Sequence, residues 1–147
     1  MVFVNIKKLD ENAVMPKYGS EFAAGADLCA LSSQPIAILP HQTVMIRTGI
    51  AAEIPEGYAG LIYARSGIAS KRGLAPANKV GVVDSDYRGE IMVALHNHSE
   101  VAAEILPGER IAQLVIAPFL KAEFREADEL TDTLRGEGGF GSTGRTV

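Results

Sequence analysis

The feature that most restricts this chain is the shortness of its apolar runs. Val2 to Ile6, Ile36 to Leu39, Thr43 to Ile50, Ala59 to Tyr63, Val80 to Val83, Glu90 to His96, Ala103 to Leu106, Ile111 to Ala117 and Ala122 to Glu126 are brief, and each is rich in β-branched residues or alternates in polarity. Such runs predict strands, because period-two alternation places one face in a core and branched side chains suit an extended backbone. Pro40, Pro55 with Gly57, Pro107 with Gly108, and Pro118 mark the connections. Proline fixes φ there and glycine permits turns that other residues resist. Helical periodicity is scarce, so the expected fold is all-β: a sandwich, jelly roll or small barrel. At 147 residues, without internal repeat or interdomain linker, the chain fits one domain.

Three stretches carry more chemistry than the fold needs. Val80 to Val83 and Ile91 to Val93 flank Asp84, Ser85, Asp86, Tyr87, Arg88 and Gly89, which predicts a β-hairpin whose tip holds an acidic residue at the strand edge, an aromatic ring, and Asn78 just upstream. Arg65 to Gly73 breaks the strand pattern and predicts a helix of about two turns, with Ser66 as its cap and a terminal glycine. Free N–H groups at its start, beside Arg65, suit a phosphate. The final stretch, RGEGGFGSTGRTV from Arg135, is too glycine-rich to form a core. Its backbone and the Ser142 and Thr143 hydroxyls suit polyphosphate oxygens, and Phe140 suits the face of a base.

Composition narrows the remaining choices. A 47% hydrophobic and 22% charged content describes a folded globule, and no apolar run reaches the length of a spanning helix. The segment VFVNIKKLD after Met1 lacks the pattern of a secretory signal, and Cys29 stands alone, so the expected setting is a reducing cytoplasm. A formal charge of −4 argues against general nucleic-acid binding, and an anionic ligand must be held locally. His96 and His98 share a strand face, but two imidazoles alone make a poor case for a metal site.

In order and spacing, five segments resemble the dUTP pyrophosphatase family of homotrimeric enzymes: AGADLCA at Ala24 to Ala30, GLIYARSGIASKRG at Gly60 to Gly73, NKVGVVDSDYRGEI at Asn78 to Ile91, GERIAQLV at Gly108 to Val115, and RGEGGFGSTG at Arg135 to Gly144. The resemblance implies a single-domain β jelly roll over residues 1–134 with one short helix. A flexible arm over residues 135–147 would close on the active site. It also implies a homotrimer with active sites shared between subunits. The implied reaction is hydrolysis of dUTP to dUMP and pyrophosphate, which keeps uracil out of DNA and supplies dUMP for thymidylate synthesis.

Carried over by position, Asp84 matches the general base that activates water. Tyr87 matches the ring under the deoxyribose, and Asn78, with Val83 and Met92 on either side of the turn, matches the uracil reader. Arg65, Ser66 and Gly67 match the phosphate turn, with Arg110 and Gln113 as further polar contacts. Arg135, Phe140, Gly141, Ser142 and Thr143 match the closing arm. The resemblance also implies Mg²⁺ carried by triphosphate oxygens and water, with Asp27 reaching the ion through water and no direct protein ligand. The alternatives are a dCTP deaminase-like enzyme, whose glutamate would fall at Ala94, and a non-catalytic nucleotide-binding regulator on the same fold.

Overall fold

The computed structural model describes residues 2–139. Twelve strands and one helix follow in order: β1 (Asn5–Lys8), β2 (Lys17–Tyr18), β3 (Ala26–Cys29), β4 (Ile36–Ile38), β5 (Thr43–Arg47), β6 (Ile50–Glu53), β7 (Tyr58–Tyr63), α1 (Ser66–Arg72), β8 (Leu74–Pro76), β9 (Gly81–Val83), β10 (Met92–Asn97), β11 (Ala103–Ile105) and β12 (Arg110–Pro118). All pairings are antiparallel. The largest sheet has the order β2-β3-β12-β7-β9, and a second has the order β5-β10-β8. Two-stranded ribbons, β1-β6 and β11-β4, complete a β jelly roll.

The apolar alternation in the sequence becomes one continuous core. Leu28, Ile38, Ile46, Ile54, Leu74, Leu95, Ile105 and Ile111 are each at most 2% exposed, and they come from both main sheets and from the ribbons. Burying one such side chain is worth about 1.5–3 kcal/mol. Among the described residues the one fully buried side-chain amide is satisfied: Asn97 Nδ2 donates to the carbonyls of Ile38 and Val101, and its Oδ1 accepts from the Ser99 N–H and hydroxyl. It thus ties the end of β10 to the β4 and β11 ribbon.

Several expectations need correction. Val80 to Val93 is not a hairpin, because β9 pairs with β7 whereas β10 pairs with β5 and β8. The Asp84 to Gly89 segment therefore crosses from one sheet to the other. The Thr43 to Ile50 run is two strands, broken at Gly49, whose φ of +70° turns the chain. The first strand lies at Asn5–Lys8, later than the apolar run, because its register is set by pairing Asn5 with Glu53. Ala122 to Glu126 forms no strand and is exposed throughout. β2, β3 and β8 had no clear signal in the run pattern.

Candidate functional site

The crossing segment and the turn before β9 enclose a cavity of about 250 Å³ between the two main sheets. Asn78, Val83, Asp84, Tyr87 and Met92 line it, together with Ile62 and Gly81. That volume lies below the usual range for whole small-molecule sites, and it suits one ring rather than an entire nucleotide. Asn78 is presented by a tight turn in which the Lys79 N–H donates to Pro76 and the Val80 N–H to the Asn78 carbonyl, with Lys79 at φ +65°. Gly81 keeps the floor open: a Cβ there would stand 3.2 Å from Ile62 Cβ and 3.3 Å from Asn78 Nδ2. Asp84 begins a turn closed by the Tyr87 N–H donating to its carbonyl at 3.2 Å. Its side chain is exposed, and no described residue donates a hydrogen bond to its carboxylate.

A second cluster gathers where β3, β7 and β12 meet the start of α1. Arg65 Nε donates to Asp27 Oδ1 at 2.6 Å, and Arg110 Nη1 donates to Asp27 Oδ2 at 3.1 Å. The Asp27 side chain is 14% exposed, so both oxygens are committed in a largely dry setting. Gln113, paired with Asp27 in the β3–β12 register, donates through Nε2 to the Ala64 carbonyl at 2.8 Å. Gly25 makes room for it, since a Cβ there would lie 3.1 Å from both Gln113 Cβ and Cδ. Burial, and next the Asp27 charge, push the neighbouring Cys29 thiol above its ordinary range.

The helix is found where the sequence predicts it, over seven residues, but Ser66 is not its cap. Arg65 holds the N-cap position with φ −88° and ψ 133° and no side-chain cap bond, so Ser66 is the first helical residue. Gly73 closes the helix in the left-handed conformation, and its N–H donates back to Ala69 and Ile68. Gly67 has open space around it. The first-turn N–H groups therefore lack a side-chain cap and directly follow Arg65 in the chain, an arrangement suited to phosphate oxygens.

Within one chain the two clusters do not meet. Val83 pairs with Gly60, which sets Asp84 level with Ala59 at one end of β7, while Arg65 continues the extended backbone past the other end. Six residues at the usual rise separate them by roughly 20 Å. Arg135 is exposed, with its Nε donating to the Gly138 carbonyl at 2.6 Å. Phe140, Gly141, Ser142 and Thr143 lie outside the described residues. Motif reading missed Glu90, which lines the cavity and whose carboxylate accepts from the Gly49 N–H at 2.8 Å. No local signal marks it, because its partners lie some forty positions upstream. His96 and His98 do stack edge-on with ring centres 4.4 Å apart, and His96 Nδ1 bonds the Thr43 hydroxyl.

Comparison with known proteins supplies the family. A family model described as dUTPase matches residues 11–144. The chain is 51% identical over 142 residues to a deoxyuridine 5′-triphosphate nucleotidohydrolase of Nautilia profundicola, covering 97% of this chain and 99% of the relative. It is 47% identical over 141 residues to one from Picosynechococcus sp., covering 96% and 98% respectively. Among solved structures, Staphylococcus bacteriophage 80alpha dUTPase with dUpNHpp superposes with a TM-score of 0.89 at 31% identity, over 97% of this chain and 99% of that one. The chain belongs to the dUTPase family.

Proposed function

We infer that the protein hydrolyses dUTP to dUMP and pyrophosphate, with Asp84 as general base. The observation that carries the assignment is the contrast in partners: Asp84 is an exposed, unpaired carboxylate at the rim of a ring-sized cavity, whereas Asp27 is held by two arginines. An unpaired carboxylate can accept a proton, and one held by two cations is poorly placed to do so. In the reaction a water oxygen bonds to the α-phosphorus and its proton passes to Asp84. The bond from that phosphorus to the bridging oxygen breaks, and pyrophosphate leaves with the electron pair. The cavity would take the uracil ring, with Asn78 reading the base edge and Tyr87 at its rim under the deoxyribose. Backbone and amide groups fixed by a tight turn reject cytosine, because its reversed donor pattern leaves them unpaired.

Arg65, Arg110 and the uncapped first turn of α1 would bind phosphate oxygens and offset the chain's net negative charge. A triphosphate with its α-phosphorus beside Asp84 cannot also reach Arg65 of the same chain across about 20 Å of strand. This separation supports a site assembled between subunits, in a homotrimer. Unpartnered apolar surface supports it too, since Leu120, Phe124, Leu130 and Leu134 are each at least 89% exposed. Residues 135–147 would supply the closing arm, Arg135, Phe140, Gly141, Ser142 and Thr143 included.

The donor set fits a hydrated divalent ion, which we assign as Mg²⁺. Each Asp27 oxygen accepts from an arginine and keeps a lone pair for a metal-bound water, while a direct metal bond would compete with both ion pairs. When bound, the ion supplies charge neutralisation on the phosphate oxygens. The setting proposed is the cytoplasm; no helix among the described residues is long and apolar enough to cross a membrane. A dCTP deaminase is disfavoured because Ala94, half-buried on β10, offers no proton carrier. The deciding assay is pyrophosphate release at substoichiometric protein across dUTP, dCTP, dTTP and UTP. Turnover of dUTP alone supports the reading, and no turnover of dUTP sinks it.

A further inference from the structure

We propose that Glu90 is a positioning residue that holds the Tyr87 ring against ribonucleotides, its carboxylate anchoring the crossing segment and its carbonyl fixing the tyrosine hydroxyl. The inference rests on the reading of Tyr87 as the ring beneath the deoxyribose.

The segment from Asp84 to Ile91 has no sheet partner of its own, so other bonds must hold it. Three of them run to the bend between β5 and β6. Gly49 N–H donates to Glu90 Oε1 at 2.8 Å, Ile91 N–H donates to the Ile50 carbonyl at 2.8 Å, and the Thr48 hydroxyl donates to the Ile91 carbonyl at 2.5 Å. Arg47 Nε adds bonds to both Glu90 oxygens at 3.2 and 3.0 Å. The Glu90 side chain is 16% exposed, so its charge is largely withdrawn from water and these donors compensate it. The Gly49 donor is itself fixed. Its φ is +70°, and a Cβ there would lie 2.6 Å from Leu31 Cδ2 and 2.8 Å from Ala13 Cβ.

The other end of Glu90 holds the ring. Tyr87 Oη donates to the Glu90 carbonyl at 3.0 Å, closing a loop of three residues. Gly89 serves the same arrangement. Its φ is not in the left-handed region, so a turn does not require glycine there. A Cβ would, however, stand 2.6 Å from Tyr87 Cζ and 2.9 Å from Cε2. The glycine is there for the ring's space. Tyr87 is 44% exposed, and a half-exposed tyrosine without a tether would swing between rotamers. A steric filter for a single added hydroxyl works only if its wall does not yield, and this tether makes the wall rigid.

The test compares kcat/KM for dUTP with that for UTP in the full-length enzyme. A smaller folded fraction scales both substrates equally, so the ratio does not register a merely structural loss. Glu90→Ala removes the carboxylate that anchors the segment to the Gly49 N–H and is expected to lower the ratio about threefold to tenfold, the range that one such anchoring hydrogen bond supplies. Glu90→Gln keeps an acceptor for the Gly49 N–H and should recover part of the loss. If Glu90→Ala does not fold, Tyr87→Phe carries the test, since it deletes only the hydroxyl and should lower the ratio similarly. An unchanged ratio in Glu90→Ala, or in Tyr87→Phe where that variant stands in, overturns the positioning role. Tyr87→Ala separates the two inferences: a lowered ratio there leaves the reading of Tyr87 intact, and an unchanged one overturns that reading along with this proposal.

Discussion

Strand β7 has an aspartate near each end, and the two live under opposite conditions. Asp27, beside the Arg65 end, is 14% exposed on its side chain and grips two guanidinium groups. Asp84, at the Ala59 end, faces the cavity and solvent with no described partner. The first arrangement spends its charge on holding cations in place, and the second leaves a charge free to react. Position in the fold, not residue type, divides scaffold from chemistry. Substituting each should therefore give different kinds of loss.

The largest effect is expected at Asp84. Asparagine keeps its shape but cannot take a proton, so Asp84→Asn should lower kcat by about 10²-fold or more with unfolding midpoints unchanged. Steady-state turnover of dUTP alongside urea denaturation measures both. A near-normal kcat would remove Asp84 from the mechanism. Deleting residues 135–147 comes next. Turnover should fall at least about fivefold, because the proposed stacking of the base on Phe140 would alone be worth roughly 1 to 3 kcal/mol, while thermal unfolding is expected to stay put. Full activity after truncation would mean that the two ends of β7 suffice without the arm.

Asp27→Asn should lower stability, which Asp84→Asn is expected to leave unchanged. The neutral amide ends both ion pairs; it can still accept a hydrogen bond from Arg65 but presents N–H groups towards Arg110, so stability should fall by about 1–3 kcal/mol. The variant also carries an internal reporter. The Asp27 charge helps to raise the Cys29 thiol, with burial as the larger cause. Removing that charge should shift the pH profile of thiol alkylation downward, yet leave it above that of a free cysteine. An unmoved profile would mean that burial alone sets the thiol.

The two ends were not equally legible in sequence. Motif residues within a few positions of one another, such as Asn78, Val83, Asp84, Tyr87 and Met92, do come together around one cavity. Strands β4, β7, β11 and β12 lie within a residue or so of their alternating runs. What local pattern cannot supply is the partner. Val80 to Val93 reads as a hairpin because two strands flank a polar turn, yet β9 pairs with β7 and β10 with β5 and β8, partners that lie elsewhere in the chain. Ala122 to Glu126 alternates like a strand but pairs with no sheet edge among the described residues. Glu90 was invisible for the same reason, since its meaning lies in Gly49 and Arg47.

The smallest effect is expected two residues from the largest. Asp86 shares the crossing segment and the charge of Asp84, and both border an open groove with Glu53, Glu56 and Arg88. Only Asp84 also lines the ring-sized cavity. Asp86 is exposed, and the nearby Arg88 guanidinium bonds the Ser85 and Tyr87 carbonyls and pairs with Glu53 instead. A solvated carboxylate with no partner to lose should cost under about 0.5 kcal/mol on substitution. Asp86→Asn should therefore keep kcat and KM for dUTP within about twofold, the scale set by that small energy. If it instead matched the loss in Asp84→Asn, the summed negative charge of the segment would be the active quantity, and the assignment of proton transfer to one carboxylate would fail.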